Sequence, residues 1–244
     1  MAFQAVAVVT GGGGGIGSAT ARKLASKGWA VVVADQSAEI ATEGSDAAAV
    51  VACDVTNAEE VRDLLGFVGR RFGRLDGFFA NAGISGLVTG IADYPEDVFD
   101  RVISINLRGT FLCLKHALPL LREGAGGSFV ATASTSAIRG RGNLAAYVAS
   151  KHGVLGLVRS AAMECVGSNV RVNAVLPGPI HTPMIDEINA MAAKLTPGGT
   201  IQRATAAPYG QPEDVANTVA FLLSPDAAHL NGAEIVVDGG STAA

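Results

Sequence analysis

The sequence predicts a single doubly wound α/β domain with a mostly seven-stranded parallel sheet flanked by helices. Three observations predict it. Short apolar runs recur along the 244 residues, longer amphipathic stretches separate them, and a glycine-rich turn joins the first run to the first stretch. The runs are Ala5–Val9, Ala30–Ala34, Ala49–Cys53, Gly77–Ala80, Ser128–Ala133, Val170–Val175 and Glu234–Val237. Each has the length and the unbroken hydrophobicity of a strand buried on both faces. Ile16–Lys27, Ala58–Phe72, Asp97–Arg122, Ala145–Cys165 and Glu213–Leu223 have helical periodicity. Thr56-Asn57, Pro95-Glu96 and Pro212-Glu213 supply helix starts. No linker or second-domain composition interrupts the pattern. The one irregular stretch, Pro177 to Pro212, holds a short helical patch around Met184–Lys194 and starts at a strand's carboxyl end. There it predicts a lid over a site, at about 178–211.

Composition narrows the function. Apolar residues make up 49% of the chain and charged ones 16%, and the net charge is −4. Nucleic acid and anionic membrane surfaces are poor partners for such a chain. The basic cluster Arg70, Arg71 and Arg74 reads as the cationic end of a helix. No apolar run approaches a membrane span, and Ala5–Val9 is too short for the apolar core of a secretory signal. Cys53, Cys113 and Cys165 are scattered and odd in number, which predicts buried thiols and a reducing, cytoplasmic compartment. No metal-ligand spacing occurs; Cys113 and His116 fit core packing better than a site. There is no G-x-S-x-G elbow and no Gly-Lys-Ser/Thr phosphate loop.

Thr10 to Gly17 carries the first positive signal. Gly12, Gly14 and Gly17 satisfy one dinucleotide template, and Gly11, Gly15 and Gly17 another, with Ile16 opening the helix. Glycines at such a turn let the backbone approach a pyrophosphate seated at a positive helix end. Asp35 closes the second strand, where a carboxylate accepts from ribose hydroxyls and repels a 2′-phosphate. With Gln36 next to it and no Lys or Arg in the glycine loop, this predicts NAD rather than NADP. Asp54-Val55 and Asn81-Ala82-Gly83 close the third and fourth strands, where they either meet an adenine or lock neighbouring loops. Tyr147 and Lys151, four apart in a helical pattern, share a face. An ammonium in range lowers a tyrosine pKa and makes it a general acid or base for an alcohol/ketone pair, with Ser134 holding the substrate oxygen.

Taken together, the chain resembles the short-chain dehydrogenase/reductase family in its classical subgroup, over essentially its whole length. The residues that carry the resemblance are Thr10-Gly11-x-x-x-Gly15-Ile16-Gly17, Asp54-Val55, Asn81-Ala82-Gly83, Asn106-x-x-Gly109, Ser134, Tyr147-x-x-x-Lys151, Pro177-Gly178 and Val237-Asp238-Gly239-Gly240. The resemblance implies a Rossmann-type fold, with a dinucleotide-binding half over about 1–125 and a catalytic and substrate half over about 126–244. It implies Tyr147 as acid/base, Lys151 on the nicotinamide ribose, Ser134 on the substrate oxygen, and Asn106 holding a water that links Lys151 to solvent. It implies cofactor contacts from Gly11, Gly14, Gly15, Ile16, Gly17, Asp35, Asp54, Val55, Asn81, Ala82, Gly83, Pro177, Gly178, Ile180 and Thr182. Gly14 stands where NADP-preferring relatives often carry a basic residue. Ser136 and Asn143 are candidate substrate contacts.

The function expected is therefore NAD(H)-dependent interconversion of a secondary alcohol and a ketone, on a small-molecule substrate, by a homotetramer. The leading alternative is a 3-oxoacyl-thioester reductase, whose usual NADP preference conflicts with Asp35. A non-catalytic nucleotide binder would show a damaged set at Asn106, Ser134, Tyr147 and Lys151, and all four are intact. Low polarity at Leu87, Val88, Ile138, Leu144, Met184 and Ile185 points to an apolar, cyclic or aromatic alcohol.

Overall fold

The structure, a computed structural model, describes residues 4–37, 47–195 and 209–243. Its seven parallel strands are β1 (Ala5–Thr10), β2 (Trp29–Asp35), β3 (Ala49–Ala52), β4 (Gly77–Ala80), β5 (Gly127–Thr132), β6 (Val170–Pro177) and β7 (Glu234–Val237). They lie in the order β3-β2-β1-β4-β5-β6-β7. The chain winds outward from β1 in one direction, then returns to the far side of β1 through β4. The crevice above the carboxyl ends of β1 and β4 is thus the switch point where such sheets bind ligands.

The helices are α1 (Gly15–Ser26), α2 (Ala58–Phe72), α3 (Glu96–Ile103), α4 (Gly109–Glu123), α5 (Ala145–Glu164), α6 (Pro183–Leu195) and α7 (Pro212–Leu223). Local chemistry sets their ends. The Asn57 side chain accepts from the Glu59 N–H at 2.9 Å to start α2, and Gly73, at φ 70°, closes it in the left-handed region. Arg70 and Arg71 fall in the last turn of α2, and Arg74 pairs with Asp76. At α7, Pro212 takes the first turn while the Gln211 N–H donates to Asp214 Oδ2 at 2.8 Å.

The sheet divides two apolar layers. On one face Leu64, Val68, Leu121, Val154 and Val158 pack under α2, α4 and α5, with Phe78 and Phe129 stacked at 5.1 Å. On the other face Leu24, Val215, Val219 and Leu222 of α1 and α7 cover β1, β2 and β4, with half-buried Trp29 against them. Cys53, Cys113 and Cys165 are free and buried, as the sequence predicts. Among the described residues, no helix is long and apolar enough to cross a membrane.

Two elements depart from expectation. Strand ends shift by up to two residues, most at β6, which runs on to Pro177. More consequentially, the single helix expected over Asp97–Arg122 is broken. α3 passes into a π-helical turn, Ser104–Arg108, before α4 begins. Apolar periodicity continues through the turn, so nothing in the pattern marked it. What imposes it is tertiary: Asn106 is fully buried there, hydrogen-bonded to another loop. The residues of the predicted lid at 196–208 lie outside the described set. Its described part is α6 and a parallel bridge from Ile180 to Gly210.

Candidate active site

Above the carboxyl ends of the strands opens one cleft of about 390 Å³, lined by the glycine loop at one side and by Ser134, Tyr147 and Lys151 at the other. The glycine loop turns through Gly11 at φ 61° and Gly15 at φ 50°. A Cβ on Gly17 would stand 2.0 Å from the Gly11 carbonyl oxygen, so the loop closes only on glycine. Gly17→Ala forces backbone to move. We expect nucleotide affinity to fall at least about tenfold, as read by NADH fluorescence titration, the order of one lost charge-assisted contact.

Polar side chains fasten the loops of β1, β4 and β5 together. The Asn81 N–H donates to Thr10 Oγ1 at 3.1 Å, and Asn81 Nδ2 donates to the Gly11 carbonyl at 3.1 Å. Thr132 Oγ1 donates to Asn81 Oδ1 at 3.2 Å. Of the two readings of Asn81, its side chain serves the locking of loops, while the residue still lines the cleft. Asp35 Oδ2 accepts from the Gly13 N–H at 3.0 Å and Oδ1 from the Gln36 N–H at 2.8 Å, which holds a carboxylate at the end of β2 on the cleft wall.

At the other side, β5 delivers Ser134 and α5 delivers Tyr147 and Lys151. Ser134 and Tyr147 both border the cleft, and the Ser134 hydroxyl is one of the groups that act on the Tyr147 phenol. Lys151, 4% exposed, donates through Nζ to the Thr132 carbonyl at 2.7 Å and lies 5.7 Å from the Tyr147 ring centre. Burial pushes the Lys151 ammonium down to about 8. Burial also pushes the Tyr147 phenol up, against the pull of the Ser134 hydroxyl and the Arg141 charge. The direction is opposite to the lowering by Lys151 that the i,i+4 spacing predicts. Desolvation of the phenolate outweighs every charge this chain brings to it.

Asn106 sits behind this group rather than on the cleft wall. Its Oδ1 accepts from the Ile84 N–H at 2.8 Å, and its Nδ2 donates to the Ile84 carbonyl at 2.9 Å and to Ser150 Oγ at 3.0 Å. Ser150 Oγ in turn donates to the Tyr147 carbonyl at 2.8 Å. Asn106 therefore ties the loop after β4 to the turn of α5 that carries Tyr147 and Lys151.

Of the predicted residues, Gly11, Gly14, Gly15, Ile16, Asp35, Val55, Asn81, Ala82, Gly83, Ser134, Ser136, Tyr147, Lys151, Pro177, Gly178, Ile180 and Thr182 all border the cleft. Besides Asn106, three others do not. Gly17 packs behind the loop. The Asp54 carboxylate faces its own turn, accepting from the Thr56 N–H at 2.8 Å. Asn143 is an exposed turn residue at φ 65°, and its carbonyl accepts from the Thr89 N–H at 3.0 Å. Asn is among the few residues that tolerate that conformation, so its presence has a backbone reason. Leu144, Met184 and Ile185 line the cleft, whereas Leu87 and Ile138 are exposed. Sequence reasoning missed Thr132 and Ser150, for which a hydroxyl at a strand end and a serine one residue before Lys151 were the available signals; Arg141 also lines the cleft.

The cleft fits a dinucleotide. The N-terminus of α1 has no side-chain cap and no acidic residue in its first turn, and a Cβ on Gly14 would meet nothing within 4 Å. A parallel doubly wound sheet with that loop, and a Ser-Tyr-Lys group across the same crevice, defines the class: the chain belongs to the short-chain dehydrogenase/reductase family and is an oxidoreductase. The family model described as enoyl-(acyl carrier protein) reductase matches residues 11–242. Levodione reductase of Leifsonia aquatica is 40% identical over 253 residues, spanning 98% of this chain and 94% of that protein. Its crystal structure superposes with a TM-score of 0.90 at 38% identity, over 100% of both chains. Cyclohexanol dehydrogenase of Acinetobacter sp. (strain SE19) is 39% identical over 245 residues, spanning 97% of this chain and 94% of that protein. A crystal structure of NAD+-bound xylitol dehydrogenase gives a TM-score of 0.89 at 33% identity, over 98% of this chain and 99% of that one.

Proposed function

We propose that this chain interconverts a secondary alcohol and a ketone with NAD(H), on a small, largely apolar and ring-shaped substrate. The observation that carries the reading is that Ser134, Tyr147 and buried Lys151 meet on one wall of the cleft, with Lys151 Nζ 5.7 Å from the Tyr147 ring centre. Ser134 holds the substrate oxygen and Tyr147 delivers a proton to it in reduction or takes one in oxidation. Lys151, anchored on the Thr132 carbonyl, keeps a positive charge near the phenol below a pH of about 8. The glycine loop, Asp35, Val55, Ala82, Ile180 and Thr182 would hold the nicotinamide dinucleotide, together with Lys151. That cofactor supplies the hydride acceptor or donor. Leu144, Met184 and Ile185 give the substrate end an apolar wall. The cyclic substrate named for cyclohexanol dehydrogenase agrees with such a wall.

The NAD preference rests on Asp35. A carboxylate fixed by the Gly13 and Gln36 N–H groups repels a 2′-phosphate, a cost of several kcal/mol for like charges in contact. We expect kcat/KM with NAD+ to exceed that with NADP+ by about a hundredfold. Asp35→Ser should narrow the ratio by about tenfold or more, and an unchanged ratio would remove the carboxylate from cofactor choice. The remaining parts of the reading are a single domain, a cytoplasmic enzyme and a homotetramer; exposed Phe111 on α4 and Met163 on α5 support pairing of those helices.

The test is nicotinamide absorbance with NAD+ and NADP+ across aliphatic, cyclic, aryl and 3-hydroxyacyl alcohols. Turnover of cyclic alcohols with NAD+ is the expected result. Turnover confined to 3-hydroxyacyl thioesters with NADP+ would replace this reading with the thioester reductase.

A further inference from the structure

The proposed reaction leaves one charged wall of its own cleft without a task. Arg141 precedes α5, is half-buried, and lines the cleft beside Ser134 and Tyr147. Among the described residues it forms no ion pair and no hydrogen bond. The ion pairs join Arg22 to Glu213, Arg62 to Glu59, Arg74 to Asp76 and Arg159 to Glu234. The groups that act on its charge are a like charge, Arg139, and the phenols of Tyr147 and Tyr209. Arg139 is no help to it. Its Nη1 donates to the Ser241 carbonyl at 3.4 Å and its own Nε is buried without a partner.

Arginines with a structural task look different in this chain. Arg171 donates to the carbonyls of Leu222 and Ser224 at 2.9 and 3.0 Å. Arg141 instead lines the cleft that Leu144, Met184, Ile185 and Ile188 also line. A guanidinium stays ionised at neutral pH even where burial pushes its pKa down, as here. Partly desolvated and without an anion, it raises the free energy of the empty pocket. An anion arriving in the pocket removes that cost and can accept two parallel N–H bonds. Arg141 faces the Tyr147 end of the cleft, not the Asp35 end, so the anion it meets belongs to the substrate and not to a nucleotide ribose.

We infer that Arg141 is the recognition point for a carboxylate on the substrate, which makes the substrate class an alicyclic hydroxy- or oxo-carboxylic acid. The inference rests on the alcohol/ketone reading above. Such a molecule is held at two points. Its reacting oxygen lies on Ser134 and Tyr147, its carboxylate on Arg141, and its ring against Leu144, Met184 and Ile185. The two anchors fix which face of the reacting carbon is presented.

The experiment measures kcat/KM for 4-oxocyclohexanecarboxylate, its methyl ester and 4-methylcyclohexanone, in the wild type, Arg141→Met and Arg141→Lys. NADH fluorescence titration of each variant reports that it is folded and binds nucleotide. A charge-assisted bidentate contact predicts a wild-type preference for the free acid of about thirtyfold or more. Arg141→Met should reduce that preference to within about threefold, and Arg141→Lys should keep part of it. Equal wild-type turnover of acid and neutral ketone, or a preference that survives in Arg141→Met, overturns the inference and leaves the alcohol/ketone reading standing. No turnover of any of the three by wild-type protein that binds NADH overturns both.

Discussion

Tyr147→Phe is expected to lower kcat for ketone reduction by about a thousandfold or more while changing the NADH dissociation constant by less than about threefold. The substitution removes one oxygen and keeps the ring, so the packing of α5 survives. What it removes is the proton carrier, and general acid–base groups contribute about 10²–10⁴ in rate. The wild-type pH dependence follows from the raised phenol. Oxidation needs the phenolate, so its rate rises with pH through the tyrosine pKa. Reduction needs the neutral phenol, so its rate falls over the same range. Because burial holds the phenol up, reduction retains its acid at neutral pH. The Phe variant should lose this limb in both directions. Measured kcat across pH in each direction checks the sign, and a variant that keeps wild-type turnover would take the proton step away from Tyr147.

Asn106→Ala has the second largest effect, and it acts on stability as well as rate. The side chain is fully buried and makes three hydrogen bonds, two to Ile84 and one to Ser150. Truncation leaves the Ile84 backbone groups and a buried serine hydroxyl short of partners. Each such group costs about 1–3 kcal/mol, so we expect a loss of about 3 kcal/mol in denaturant unfolding. The rate should fall about tenfold to a hundredfold, because Ser150 also bonds the Tyr147 carbonyl and Ile84 borders the cleft. Asn106→Asp keeps the acceptor for the Ile84 N–H but loses the donors and sets a carboxyl group in a fully buried site against the Ile84 carbonyl, so it should be no more stable than Ala. If both variants unfold like the wild type, the clamp is not structural.

The sheet was legible because a strand buried on both faces writes itself as an unbroken apolar run. Val6–Val9 and Val31–Ala34 could hardly be anything else. The glycine loop was legible for a steric reason, since at Gly17 no other residue fits against the Gly11 carbonyl. Tyr147 and Lys151 were legible through helical spacing. What stayed hidden depends on contacts between distant segments. The π-turn at Ser104–Arg108 arises from a partner 22 residues away, Ile84. The phenol's pKa is governed by how much water the fold excludes, which spacing does not report. Asn143 lies near catalytic residues along the chain, yet its turn carries it to the surface.

The π-turn between α3 and α4 can also be viewed as a matter of counting. A π-turn holds one residue more than the α-turn it replaces. Deleting a single residue from Ser104–Arg108 would let α3 and α4 fuse into one regular rod, with every backbone bond restored. The rod would be the easier helix to form. The segments before and after the deletion would keep about the same relative rotation, because the π-turn spends its surplus residue within a single turn. What would go is the widened turn itself, in which fully buried Asn106 reaches the Ile84 backbone. The surplus residue is a permanent irregularity that the enzyme carries in place of a smoother helix.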